Sequence, residues 1–302
     1  MTALPALPAG LEPALYPFQR KLHALAFGHH LHYVDEGPSD GQPVVMLHGN
    51  PTWSFYYRKV VQKLNNHFRC LVPDHIGMGL SDRPSDSDYN YTLKSRVEDL
   101  TKWLDAVAPD RPIDLIVHDW GGAIGMSWAV QNPERVRRIV LLNTWAFNIP
   151  KDERLPRSLS FARTGLGGFL INRFNAFSGL ATRMATVGKL DKEIAHGLVA
   201  PYLGKPEQRL ATLRFVQDIP LKQTDPAWAV LAETEKNLHR LADKPIYIGW
   251  GANDFVFNDR VLEEWRKHYP NAKIDYMKNV GHYTLEDAEP DFFDRIHQHV
   301  FA

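Results

Sequence analysis

The stretch I-D-L-I-V-H-D-W-G-G, Ile113 to Gly122, decides how the rest of the chain is read. An apolar run, Leu115 to Val117, stops at His118-Asp119-Trp120-Gly121-Gly122, and a helical pattern follows. This change of period predicts a buried strand that turns sharply into a helix. A side chain at the apex of such a turn is lifted clear of the sheet, the setting of a nucleophile elbow. Here the apex residue is Asp119, a carboxylate where acyl-transfer enzymes place a serine. A carboxylate is a poor acyl-transfer nucleophile, because its adduct with an ester is only an anhydride. At an alkyl carbon it forms a stable ester that water can later cleave. The turn therefore predicts displacement at an alkyl carbon, the opening of a C–halogen or strained C–O bond.

Strands and helices alternate on both sides of this turn. Residues 29–37, H-H-L-H-Y-V-D-E-G, read as an edge strand, and residues 1–27 before it as a loose leader. Val44 to Leu47 reads as a short buried strand, Trp53 to Leu64 as a helix and Phe68 to Val72 as a strand. The next segment, P-D-H-I-G-M-G-L-S-D-R-P, is turn-rich. Thr92 is placed to cap a helix running through Val107. The helix after Asp119 runs to about Asn132, and Ile139 to Leu142 follows as a strand. This rhythm predicts an α/β fold with a mostly parallel sheet covered on both faces.

The rhythm breaks between about Asn148 and Asp225, where helical pieces stand at Leu159 to Phe174, Glu193 to Val199 and Gln208 to Phe215. It returns with a strand at 245–251, a helix at 259–268, a strand from Ile274 to Met277 and a last helix from Pro290. The expected organisation is a main domain of residues 1–147 and 226–302, interrupted by a helical cap at 148–225.

Composition excludes several classes. Lys plus Arg and Asp plus Glu number 35 each, so no basic excess asks for nucleic acid or an anionic membrane. The one cysteine, Cys70, lies in the apolar run F-R-C-L-V-P and reads as a buried structural thiol. No positive charge precedes Arg20 and prolines interrupt the N-terminus, which is unlike a signal peptide. No run of about 18 apolar residues predicts a membrane span. A cytoplasmic protein is expected. His29, His30 and His32 read as exposed residues of the edge strand, and neither a metal site nor a cofactor is expected.

In an open parallel sheet, ligands bind at the carboxyl ends of the strands. Four such ends carry polar residues: H-G-N-P after Leu47, H-D-W-G-G after Val117, G-A-N-D after Trp250 and V-G-H-Y after the last strand. They supply Asp119, Asp254 and His282 in the order nucleophile, acid, histidine. Asp119 attacks in its ionised form, His282 takes a proton from the water that later cleaves the ester, and Asp254 orients the imidazole. The backbone N–H groups of Trp120 and Asn50 are placed to form an oxyanion hole. Their side chains add an indole N–H and an amide NH₂, two neutral donors for a departing anion. Taken alone, Asn50 before Pro51 would bond its own turn; Trp145 and Phe147 read as plain packing, with lining of the pocket as the alternative, since they lead into the cap.

H-G-N-P-T-W-S-F, V-H-D-W-G-G, W-G-A-N-D and G-H-Y-x-x-E-D resemble the haloalkane dehalogenases of the α/β-hydrolase superfamily, over nearly the whole chain. The resemblance implies a catalytic triad of Asp119, His282 and Asp254, with Asn50 and Trp120 binding the leaving halide. One branch of that family keeps a glutamate after the preceding strand. Asn143 falls near that position here and cannot serve, which resembles the third dehalogenase subfamily. That subfamily is close to the β-lactone decarboxylases of bacterial long-chain olefin biosynthesis. The cap segments F-N-A-F-S-G (174–179), V-A-P-Y (199–202) and R-F-V-Q-D-I-P-L (214–221) are more similar to those decarboxylases.

The leading expectation is haloalkane dehalogenation, with β-lactone decarboxylation to an olefin and CO₂ as the alternative. Further alternatives are an epoxide hydrolase, which uses two cap tyrosines where only Tyr202 stands out, and a non-catalytic binding protein of the same fold. All imply a small apolar substrate. The apolar cap residues Phe161, Leu166, Phe169, Leu170, Phe174 and Phe177 are expected to pack on the main domain, some of them lining the pocket. The candidate partners besides substrate are further copies of the chain and pathway enzymes.

Overall fold

The computed structural model describes residues 3–25, 28–148, 160–161 and 163–301. Among these, eight strands form one sheet: β1 (Arg20–Ala24), β2 (His30–Glu36), β3 (Gln42–Leu47), β4 (Phe68–Pro73), β5 (Ile113–Asp119), β6 (Val136–Thr144), β7 (Ile246–Gly251) and β8 (Lys273–Met277). Their order is β1-β2-β4-β3-β5-β6-β7-β8. β1 and β2 pair antiparallel with each other, as do β2 and β4, and the remaining neighbours are parallel. The mostly parallel α/β expectation is borne out. β5 lies between β3 and β6 with every residue buried, as expected of an uninterrupted apolar strand covered on both faces.

The helices are α1 (Arg58–Leu64), α2 (Leu93–Val107), α3 (Trp120–Ala129), α4 (Gly165–Phe174), α5 (Ala176–Met184), α6 (Lys192–Val199), α7 (Leu210–Gln217), α8 (Pro226–Asn237), α9 (Asp259–His268), α10 (Thr284–Asp287) and α11 (Pro290–Phe301). Thr92 caps α2 as expected, its side chain accepting from Ser95 N. The stretch Trp53 to Leu64 splits into a 3₁₀ turn, Ser54–Tyr57, and α1. Cys70 is buried, and burial pushes its thiol upward. Among the described residues no helix is long and apolar enough to cross a membrane.

Three expectations are corrected. The N-terminal segment is not a loose leader: it holds β1, and Tyr16 and Phe18 are buried beside it. The composition of R-K-L-H-A hides this strand, whose pairing uses backbone groups. With β1 in place, β2 is not an edge strand, and His32 is not exposed. It is fully buried, and its Nδ1 lies 2.8 Å from Asp74 Oδ2. The apolar cap residues do not all turn inward either. Phe161, Leu166 and Phe169 are exposed, while Ile171, Leu213 and Val216 form a small cluster with Phe177. The cap boundary near residue 148 and the start of its first expected helix at Leu159 lie beside or within residues 149–159, outside the described residues.

Candidate active site

Asp119 ends β5 and hands the chain to α3. Its backbone stands at φ 51° and ψ −127°, a conformation that costs a non-glycine residue energy and persists only when its surroundings enforce it. Thr144 Oγ1 on β6 donates to Asp119 O at 2.5 Å. A Cβ on Gly121 would lie 1.9 Å from Leu47 O, so glycine is what lets α3 close against β3. The elbow is thus clamped from both neighbouring strands.

The Asp119 carboxylate is buried, and its two oxygens are not equivalent. Asn50 N–H donates to Oδ1 at 2.7 Å. Gly49 must be glycine, since a Cβ there would lie 2.1 Å from Oδ1. Oδ2 faces His282 Nε2 at 3.8 Å, too far for a hydrogen bond. Oδ1 is anchored and Oδ2 is available to attack. Burial pushes this carboxyl up to about 6, against the opposing pull of His282 and of the Asn50 and Trp120 backbone N–H groups. At neutral pH it is ionised yet poorly solvated, the state of a reactive nucleophile.

His282, on the loop between β8 and α10, donates from Nδ1 to Asp254 Oδ2 at 2.8 Å. Asp254 follows β7, and its Oδ1 accepts from the backbone N–H groups of Val256 at 2.6 Å and Phe257 at 3.1 Å. Burial alone would lower the imidazole, but the charge and hydrogen bond of Asp254, with the charge of Asp119, raise it above its ordinary value. His118, next to the nucleophile, donates from Nε2 to His282 O at 2.8 Å and steadies that loop. The sequence-predicted Asp119, His282 and Asp254 thus come together in one buried line.

Asn50 and Trp120 also converge here. The Asn50 side chain does not bond its own turn. Its Nδ2 donates to Thr212 O on α7 at 3.1 Å, while Oδ1 is buried without a partner. One amide hydrogen is therefore committed to α7. The Trp120 ring sits between Trp145, at 4.9 Å, and Phe215 on α7, at 5.2 Å. Trp145 stacks on Phe257 at 5.1 Å, and Phe257 lies 5.8 Å from the His282 ring. Trp145 is part of this aromatic wall, whereas Phe147 packs on Trp265.

Sequence reasoning missed a second layer. His48 Nδ1 donates to Gly49 O at 2.8 Å, and His75 Nε2 donates to His48 O at 3.0 Å. Asp74 takes N–H groups from Ser54 at 2.7 Å and Leu80 at 2.8 Å. Together they brace the Gly49-Asn50 loop from below. Asp74 and His75 stand just past the carboxyl end of β4, and that position was the available signal. Asn143, at φ 30°, bridges three elements. Its Nδ2 donates to Gly251 O, and its Oδ1 accepts from Gly251 N and Thr284 Oγ1, all within 3.0 Å. It holds the frame beside the triad, which agrees with its exclusion as the acid.

A family model described as the alpha/beta hydrolase fold matches residues 42–289. The cis-3-alkyl-4-alkyloxetan-2-one decarboxylase of Shewanella oneidensis is 46% identical over 285 residues, covering 93% of this chain and 88% of that protein. Haloalkane dehalogenase 2 of Mycobacterium tuberculosis is 33% identical over 283 residues, covering 93% and 94%. The crystal structure of haloalkane dehalogenase DatA from Agrobacterium tumefaciens C58 superposes with a TM-score of 0.81 at 26% identity, covering 96% and 98%.

Proposed function

The chain belongs to the α/β hydrolase fold family, among the haloalkane dehalogenases and their oxetanone-decarboxylating relatives, and from that premise we propose that it decarboxylates cis-3,4-dialkyl β-lactones to alkenes. The observation that carries this reading is the identity gap: 46% to a decarboxylase against 33% to a dehalogenase, at equal coverage of this chain. It reverses the order of the two reactions expected from the sequence. The division into a main domain and a helical cap over Asp119 belongs to the same proposal.

The chemistry follows from the two oxygens of Asp119. Oδ2 attacks the ring carbon that bears the lactone oxygen, and that C–O bond breaks, freeing a carboxylate. The Asn50 and Trp120 donors hold this anion as it forms. The bond between C3 and the carboxylate carbon then supplies the electron pair of the new C=C bond. CO₂ leaves, the C4–O bond to Asp119 breaks, and the Asp119 carboxylate is restored without water. Backside attack sets the new C–O bond anti to the carboxylate, so collapse without bond rotation keeps both alkyl groups on one side. His282, held by Asp254, stands beside Asp119 during both steps; burial lowers its imidazole, and the Asp254 and Asp119 charges raise it above its ordinary value.

Dehalogenation remains the second reading, favoured by the Asn50–Trp120 donor pair. There the halide leaves, and His282 draws a proton from water that attacks the Asp119 ester. Epoxide hydrolysis is disfavoured, because the Tyr202 hydroxyl donates to Thr52 O at 3.1 Å and accepts from Gly79 N at 3.2 Å. Two assays on one preparation test the proposal: alkene formation from a long-chain cis β-lactone, and halide release from brominated alkanes. Alkene formation is expected to be the faster; halide release without alkene would overturn the proposal.

A further inference from the structure

Arg96, on the first turn of α2, is buried, and none of its three guanidinium nitrogens has a hydrogen-bond acceptor. Burying a guanidinium without hydrogen bonds is costly, and the charges of Asp218 and Asp99 with the Tyr91 ring at 5.7 Å offset only part of that cost. Its carbon stands 3.7 Å above the ring of Phe215, a close cation–π stack. The ring of Phe215 lies against Trp120, 5.2 Å away. Phe215 and Thr212 are three residues apart on α7, and Thr212 O is the acceptor that fixes the Asn50 amide. One helix therefore sets both donors, and Arg96 presses on that helix. The same contact is tied at its C-terminal end, where Asp218 accepts from Leu93 N, the first residue of α2, at 2.6 Å.

We infer that Arg96 is a positioning residue, which through Phe215 and α7 fixes Asn50 and Trp120 where they meet the departing carboxylate. The inference rests on the proposed reaction for the identity of that anion. Its physical content is that stability is given up for placement. The guanidinium makes no hydrogen bond that would repay its burial; its close contact is the stack on the helix that orders the donors, with the Tyr91 ring farther off at 5.7 Å.

The test compares wild type with Arg96→Met, which keeps the length of the side chain and removes the charge. Three quantities are read: kcat and KM on a cis β-lactone, Tm, and amide hydrogen exchange across residues 210–217. Donors that act on the departing anion contribute in the transition state more than in substrate binding. We expect kcat to fall about tenfold, KM to stay within about twofold, and exchange in α7 to quicken roughly tenfold, beyond what any change in Tm explains. Unchanged kcat, or a loss of rate that merely tracks a lowered Tm, would overturn the inference. A wild type silent on lactones would count against the proposed reaction; the exchange measurement then decides alone, and unchanged protection of α7 overturns the inference. If Arg96→Met does not fold, Phe215→Leu is expected to lower kcat about tenfold with KM within about twofold, and full activity in that variant overturns the inference equally.

Discussion

Replacing Asp119 with Asn is expected to abolish turnover and, at neutral pH, to make the protein more stable. The carboxyl is raised from an ordinary 3.8 to about 6, chiefly by burial. Between those values the folded protein holds a proton that the unfolded chain has released. Stability therefore falls as pH rises through that window, and the full penalty is present above about 6. The raised value corresponds to about 3 kcal/mol. Asn is close in shape, carries no charge and escapes this penalty. The variant is expected to exceed wild type by about 3 kcal/mol at pH 7.5, roughly 6 °C in Tm, and the gain is expected to vanish near pH 4. Urea unfolding at pH 7.5 and at pH 4 measures both numbers. A variant less stable than wild type at pH 7.5, or a gain that does not change with pH, would refute the claim that the nucleophile is held in an electrostatically costly state.

The same carboxyl sets the pH dependence of turnover. Attack needs ionised Asp119, so kcat/KM on a β-lactone is expected to fall below pH 6 and to be about tenfold down at pH 5; a flat profile to pH 5 would contradict this. In water enriched in ¹⁸O, single turnover of a lactone is expected to leave the Asp119 peptide at its original mass, because no water attacks the ester; a gain of label would mean hydrolysis through His282. Asn143→Ala leaves Gly251 N, Gly251 O and Thr284 Oγ1 without their buried partner. It is expected to cost about 3 kcal/mol in urea unfolding, and a loss below about 1 kcal/mol would dismiss the bridging role.

The parts of the site legible in the sequence are those encoded locally. Asp119 ends and Asp254 follows a strand whose apolar run marks its own end, His282 follows the mixed strand β8, and a parallel sheet brings such ends to one edge. The elbow was readable because the period changes within two residues of Asp119. What escaped depends on contacts between distant segments. The Asn50 amide meets Thr212, 162 residues away, and Asn143 meets Gly251, 108 residues away. No local pattern carries such pairs. β1 escaped because a strand whose side chains are mixed is held by its ladder and not by a buried face. The outward-facing Leu166 and Phe169 show the converse: apolarity in a short helix does not say which side is covered.

The claim that Asp119 opens a lactone at its alkyl carbon is tested most directly by identifying the product of a cis-3,4-dialkyl β-lactone by gas chromatography with mass detection. The expected result is one alkene per lactone consumed, with cis geometry, and an equal amount of CO₂. A β-hydroxy acid as the product would mean that water, at the lactone or at the Asp119 ester, intervenes before CO₂ leaves, and a trans alkene would mean that no anti collapse from an Asp119 ester takes place. Either result would contradict the account.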